Sequence, residues 1–158
     1  MSTTPTSSPS AVHRALNQLI SDFWRGSIQH QAHVAVLRAL GVTALATDMS
    51  TRIADEPVTL GKLTDRLLDL EGQLDLEVGK PTIGHTLREV LTQDLALQQQ
   101  ARPRLNEAAE LMAAEHDALT RRLIEDILLD EEAHLAWLKN EVSLLDRLGE
   151  ATYLASRI

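Results

Sequence analysis

From residue 121 to residue 149 the chain reads RRLIEDILLDEEAHLAWLKNEVSLLDRLG, and its apolar residues return at helical spacing: Ile124, Ile127, Leu138, Val142 and Leu145. That period describes a helix with one buried face. The positions that carry the stripe across its gap are Glu131 and His134, spaced i, i+3 and so one turn apart on the same face. A carboxylate and an imidazole inside an apolar seam need an explanation, because unpaired buried charge is costly. Three are open: a partly solvated helix end, an internal ion pair, or a metal site inside a helical bundle, where Glu-x-x-His is the di-iron signature.

Three other stretches have the same character. Residues 10–40 predict a helix with Ser10 as its N-cap and Gly41 as its stop, and a stripe of Leu16, Leu19, Phe23, Ser27, His30, Val34 and Leu37. Residues 43–71 carry Met49, Ile53, Glu56, Leu60, Leu63, Leu67 and Leu70, with Pro57 directly after the polar member. An interior proline removes a backbone hydrogen bond, so this helix is either broken there or locally distorted beside a polar core position. Residues 85–116 carry Leu87, Leu91, Leu95, Gln98, Leu105, Ala109 and Met112, with Pro103 about a turn beyond Gln98. Residues 150–158 suit a short amphipathic turn or helix.

Between the second and third helices, QLDLEVGKPTIG at residues 73–84 has no helical period and contains Gly79, Pro81 and Gly84. It is about long enough to run from one end of a bundle to the other. Two helices before such a crossover and two after it make an all-α, ferritin-like four-helix bundle, with the last segment as a short fifth helix.

Composition agrees with packed helices: 44% of the residues are apolar, with one Phe, one Tyr, two Trp, and few Gly or Pro. With no cysteine, disulfides, thiolate catalysis and zinc–thiolate sites are excluded. A net charge of -8 argues against nucleic acid as a partner. No apolar run is long enough to span a membrane. Residues 1–9, MSTTPTSSP, read as a disordered tail without the apolar core of a signal peptide, ahead of one domain over residues 10–158 in the cytoplasm.

The stripes therefore carry polar groups at Glu56, Gln98, Glu131 and His134, with His30 as a further candidate. A complete di-iron bundle site takes a Glu from each of two helices and a Glu-x-x-His from each of the other two. Here the second helix offers Glu56-x-x-Thr59, the first presents Phe23 and the third Gln98. The residues alone describe a polar pocket able to hold one hard cation on Glu56, Glu131 and His134.

From Leu16 to Ile158 the chain resembles the bacterioferritins. The matching stretches are LNQLI at 16–20, LLDLEG at 67–72, VGKPTIG at 78–84, DLAL at 94–97, ILLDEEAHLAWL at 127–138 and the terminal LGEATYL. The resemblance implies a 24-subunit hollow cage storing ferric mineral, with a ferroxidase centre in each bundle and a haem held at each two-fold interface by paired methionines. It implies that Glu131 and His134 are the fourth-helix ligands and Glu56 the bridging glutamate of the second helix. The first-helix glutamate is replaced by Phe23, the second-helix histidine by Thr59, the third-helix glutamate by Gln98, and the haem methionine by Pro57. His30 stands where a tyrosine is common.

Iron is thus the implied metal, as stored mineral or at a partial site, and haem is not expected through this subunit. The expected role is a shell subunit with a degraded ferroxidase site, in homomeric cages or, in preference, mixed with an active haem-binding bacterioferritin subunit; an electron-donating ferredoxin is the further partner that the resemblance raises. Two alternatives stay open: an oxidase with a remodelled site using His30, Glu56, Glu131 and His134, and a plain scaffold in which Glu131, His134 and Gln98 hydrogen-bond one another.

Overall fold

A computed structural model describes residues 10–158; the expected disordered tail lies outside the described residues. The chain forms α1 (Ala11–Ala39), α2 (Thr43–Arg52), α3 (Glu56–Asp69), α4 (Leu87–Ala114), α5 (Ala118–Leu148) and α6 (Glu150–Ala155). Helices α1, α2 with α3, α4 and α5 are the four arms of the bundle. α4 packs along α5, α1 lies against α2, α3 and α4, and α6 folds back on α5. None of these helices is long and apolar enough to cross a membrane.

Local chemistry sets the ends. The Ser10 and Thr86 side chains accept hydrogen bonds from the His13 and Glu89 amides and so cap α1 and α4. Gly41, at φ 79°, reverses the chain after α1. α4 runs unbroken through Pro103, while residues 43–71 are divided: the single helix that the stripe suggests is two, with a turn over 53–55.

The core is in two parts. One joins Val34, Leu37, Met49, Ile53, Leu87, Leu91, Leu138 and Leu145, among others. The other joins Leu16, Leu19, Ile20, Leu60, Leu63, Leu67, Leu105, Met112, Ile124 and Ile127. Each arm passes from one cluster to the other across its polar stripe position: His30 on α1, Glu56 on α3, Gln98 on α4, and Glu131 with His134 on α5.

The crossover over residues 73–84 has no secondary structure of its own, and α1 supplies the missing backbone partners. Asn17 donates to the Gln73 carbonyl at 2.9 Å and accepts from the Asp75 amide at 2.8 Å. The Glu77 amide donates to Ser21 at 3.1 Å, the Thr82 amide to Gln29 at 3.1 Å, and the Gly84 amide to His33 Nε2 at 2.8 Å. A Cβ on Gly79 would sit 3.2 Å from the Arg25 side chain, so the strap lies directly on it. Positions 17, 21, 25, 29 and 33 form one row at a spacing of four. Behind it, Asp94 on α4 accepts from Gln29 at 2.9 Å and from His33 Nδ1 at 2.7 Å. Because His33 Nε2 accepts from Gly84, its proton is on Nδ1, and the ring is the neutral tautomer.

Candidate metal centre

The break between α2 and α3 delivers Glu56. Pro57 has no N–H to give the Ile53 carbonyl, which instead accepts from the Glu56 amide at 3.1 Å, and the new helix begins with the Thr59 amide on Asp55. Pro57 thus lies in the first turn of α3, where proline is tolerated. Glu56 opens that helix, where the exposed amides favour a carboxylate.

Glu56 meets His30, whose Nδ1 hydrogen-bonds Glu56 Oε1. The His30 ring stacks near that of His134, with centroids 5.3 Å apart and planes inclined by 23°. Trp137 meets His134 edge-on at 5.9 Å, and the Arg52 guanidinium covers the Trp137 face at 4.5 Å. His30 and His134 are 4% and 8% exposed. Three buried atoms in this cluster lack any hydrogen-bond partner: His30 Nε2, His134 Nε2 and Glu56 Oε2. His134 Nε2 therefore makes no hydrogen bond to Glu131, and the mutually bonded Glu131–His134–Gln98 trio of the scaffold reading is corrected to a Glu131–Gln98 contact alone.

Two cavities open to solvent reach this cluster. One lies between α1 and α4 and ends on His30, Glu56, Gln98 and Glu131. The other reaches Glu56, Glu131 and His134 past Arg52, Asp55, Thr59 and Asp130. Phe23, Glu56 and Glu131 line both, so the phenyl ring stands at the meeting point of the two.

Burial dominates the electrostatics. It raises the Glu131 carboxyl to about 7, against the Gln98 hydrogen bond and the nearby His30, with Glu56 and Asp55 adding to the rise. It lowers His134 to about 4, helped by His30 and Arg52. His30 is opposed by burial too, but its bond to Glu56 and the charges of Asp94, Glu56 and Glu131 outweigh that, and its pKa is raised. The pocket so favours an uncharged imidazole at His134. Among the described residues, no three His, Asp or Glu side chains already converge around one point that could hold an ion.

The comparisons with known proteins point one way. Residues 13–148 match the Ferritin-like domain family. The bacterioferritin of Mycobacterium bovis and bacterioferritin BfrA of Mycobacterium tuberculosis are each 32% identical over 145 residues, 91% of both chains. The chain belongs to the bacterioferritin family. The bacterioferritin of Streptomyces coelicolor is 31% identical over 131 residues, covering 82% of this chain and 78% of its own.

In this bacterioferritin-family chain the resemblance-derived residues fall in one place. Glu56, Glu131 and Phe23 line both cavities, His30 and Gln98 the first, and His134 and Thr59 the second. A dinuclear iron centre with the family's six ligands finds a phenyl ring, a hydroxyl and a neutral amide at three of its positions, and those side chains do not fit it. Haem fares no better: Pro57 has no donor atom, and Met49 and Met112 are both 0% exposed in the apolar clusters. Sequence reasoning missed Asp94, 0% exposed behind the histidines, and the row of polar side chains on α1. The four-residue spacing of Asn17, Ser21, Gln29 and His33 was the available signal.

Proposed function

We propose that this chain is an iron-storage shell subunit of a 24-subunit bacterioferritin-type cage, with a degraded ferroxidase site, working in the cytoplasm. The observation that carries this reading is Phe23, whose apolar ring lines both cavities where the resemblance calls for a carboxylate. Oxidising two Fe(II) ions with one oxygen molecule requires both irons held with open positions and carboxylates to balance their charge. Thr59 and Gln98 supply neither charge nor an imidazole. With Pro57 at the haem position, the subunit brings no haem ligand of its own, which favours co-assembly with an active, haem-binding bacterioferritin subunit. Domain boundaries follow the same reading: residues 10–158 form the shell domain.

Stopped-flow mixing of aerobic Fe(II), at two equivalents per subunit, with assemblies of this chain alone tests it. No rapid phase beyond the protein-free control is expected, together with mineral formation after slow oxidation. A rapid saturating phase abolished in Glu131→Ala would overturn the reading. A Soret band in the haem-reconstituted homomer would overturn its haem part.

A further inference from the structure

On its way in from solvent, the cavity between α1 and α4 is a groove with apolar walls that the core does not fill. Phe23 and Gly26 form its α1 side, Leu97 and Ala101 its α4 side. Phe23, Leu97 and Ala101 are only half-buried, and neither Leu97 nor Ala101 belongs to either apolar cluster of the described residues. At Gly26 the wall is bare main chain, and a Cβ there would stand 3.5 Å from Leu97 Cδ2. The charges at the rim are uneven. Asp22 is fully engaged, one oxygen accepting from Arg104 at 2.5 Å and the other from Gln18 at 3.2 Å. Arg25, one turn further along α1, lines the same groove and forms no ion pair among the described residues. Its Nε is buried without an acceptor, which is costly for a charged donor.

We propose that the groove between α1 and α4 binds a small organic monocarboxylate, its carboxylate on Arg25 and its apolar body against Phe23, Leu97 and Ala101. Three features select this class. The free guanidinium calls for an anion, and its fork of N–H donors matches the two oxygens of a carboxylate. The walls select against a fully hydrated anion such as phosphate, whose remaining oxygens would meet hydrocarbon in place of water. The inner end carries the Glu56 carboxylate, which repels a second negative group, so the apolar end of the guest goes inward and a dicarboxylate is disfavoured. Arg104 contributes no free charge, because Asp22 already neutralises it across the groove. The uncovered apolar walls supply the remaining drive for binding. The site needs no metal and is built from one chain, so it goes beyond the storage reading and stands or falls separately from it.

Equilibrium dialysis of the iron-free full chain against octanoate tests the proposal, with octan-1-ol and inorganic phosphate as the two half-matched probes. One octanoate per chain is expected, and each half-matched probe should bind at least about tenfold more weakly. Arg25→Gln should weaken octanoate about 10–100-fold and leave octan-1-ol unchanged. Ala101→Leu, which fills the groove without changing its charge, should weaken both. Circular dichroism identifies any variant that fails to fold; Arg25→Lys, which keeps the charge and loses the paired donors, then takes the place of Arg25→Gln and should still weaken octanoate. Octanoate binding unchanged in a folded Arg25 variant or in Ala101→Leu, octan-1-ol or phosphate binding as tightly as octanoate, or no octanoate bound by the wild-type chain would each overturn it.

Discussion

The Tyr153 hydroxyl donates to Glu141 Oε2 at 2.5 Å, and this bond fastens the last helix to the bundle. Tyr153 is 0% exposed and Glu141 only 4%. Arg157 supplies the balancing charge, with Nε 3.0 Å and Nη2 3.2 Å from the same carboxylate. Burial raises the Tyr153 pKa, and the bond to Glu141 adds to it, so the phenol stays protonated and keeps donating. Removing the hydroxyl leaves Glu141 still paired with Arg157. Removing the carboxylate strands the buried Tyr153 hydroxyl and takes the ion-pair partner from Arg157, which keeps its bonds to Ser156. Tyr153→Phe should therefore cost about 1 kcal/mol and Glu141→Ala about 3 kcal/mol in urea unfolding; equal losses would contradict this division of roles.

The N-cap of α5 should give acid sensitivity. Asp117 accepts from the Thr120 amide at 3.0 Å, from the Thr120 hydroxyl at 2.5 Å and from Arg66 at 3.0 Å. Burial pushes its pKa up, but these bonds and the Arg66 charge outweigh it, and the net shift is downward. A lowered folded-state pKa means that the unfolded chain takes up the proton first as pH falls. The stabilisation is fully present above the ordinary aspartate value of about 3.9 and is lost as pH falls through the folded value. Asp117→Asn should be less stable than wild type at about pH 6, and the two should converge as pH falls through the lowered folded-state value of Asp117. A constant difference across that range would contradict the prediction.

His33 should be the most costly rung of the row on α1. His33→Ala strands the Gly84 amide and one of Asp94's two bonds in a site with no exposure, for a loss of about 3 kcal/mol. Hydrogen exchange separates this from general loosening. The Gly84 amide should lose protection in His33→Ala, and the Asp75 amide in Asn17→Ala, each with the far rung less affected. Equal effects at both amides in both variants would mean that the strap opens as one unit.

The storage reading has a gain-of-function test. Phe23→Glu, Thr59→His and Gln98→Glu together supply the family's missing ligand types inside the existing cavities. The triple variant should oxidise Fe(II) at least about tenfold faster than the wild-type chain in the first phase, and Phe23→Glu alone should fall short of it. A rate unchanged in a folded triple variant would place the defect outside these positions.

Much of this was legible in the residues. The alternation of threes and fours gave every arm, and the polar interruptions at Glu56, Gln98, Glu131 and His134 proved to be the seam between two apolar clusters. Pro57 could not be resolved by reading, because a proline marks both a broken and a bulged helix; the backbone shows a new helix start that sets Glu56 at its end. His30 read only as a candidate at a position where a tyrosine is common, since its bond to Glu56 joins residues that only the fold brings together. Asp94 and Glu141 escaped notice because they lie off the apolar stripes, and a buried carboxylate there looks like a solvated one until its partners, far away in sequence, are placed. The partners of the α1 row were hidden for the same reason: they are backbone groups of the strap, which carry no sequence signal.

That last point bears on how the surface can change. The α1 row grips the strap by its main chain at Gln73, Asp75, Glu77, Thr82 and Gly84, while Leu74, Leu76 and Val78 stay 48%, 39% and 43% exposed. Fold and outward appearance are thereby uncoupled along this edge. Side chains at 74, 76 and 78 can be rewritten one by one without loosening what holds the segment, so that what neighbours this edge accepts is free to drift while the bundle beneath stays the same.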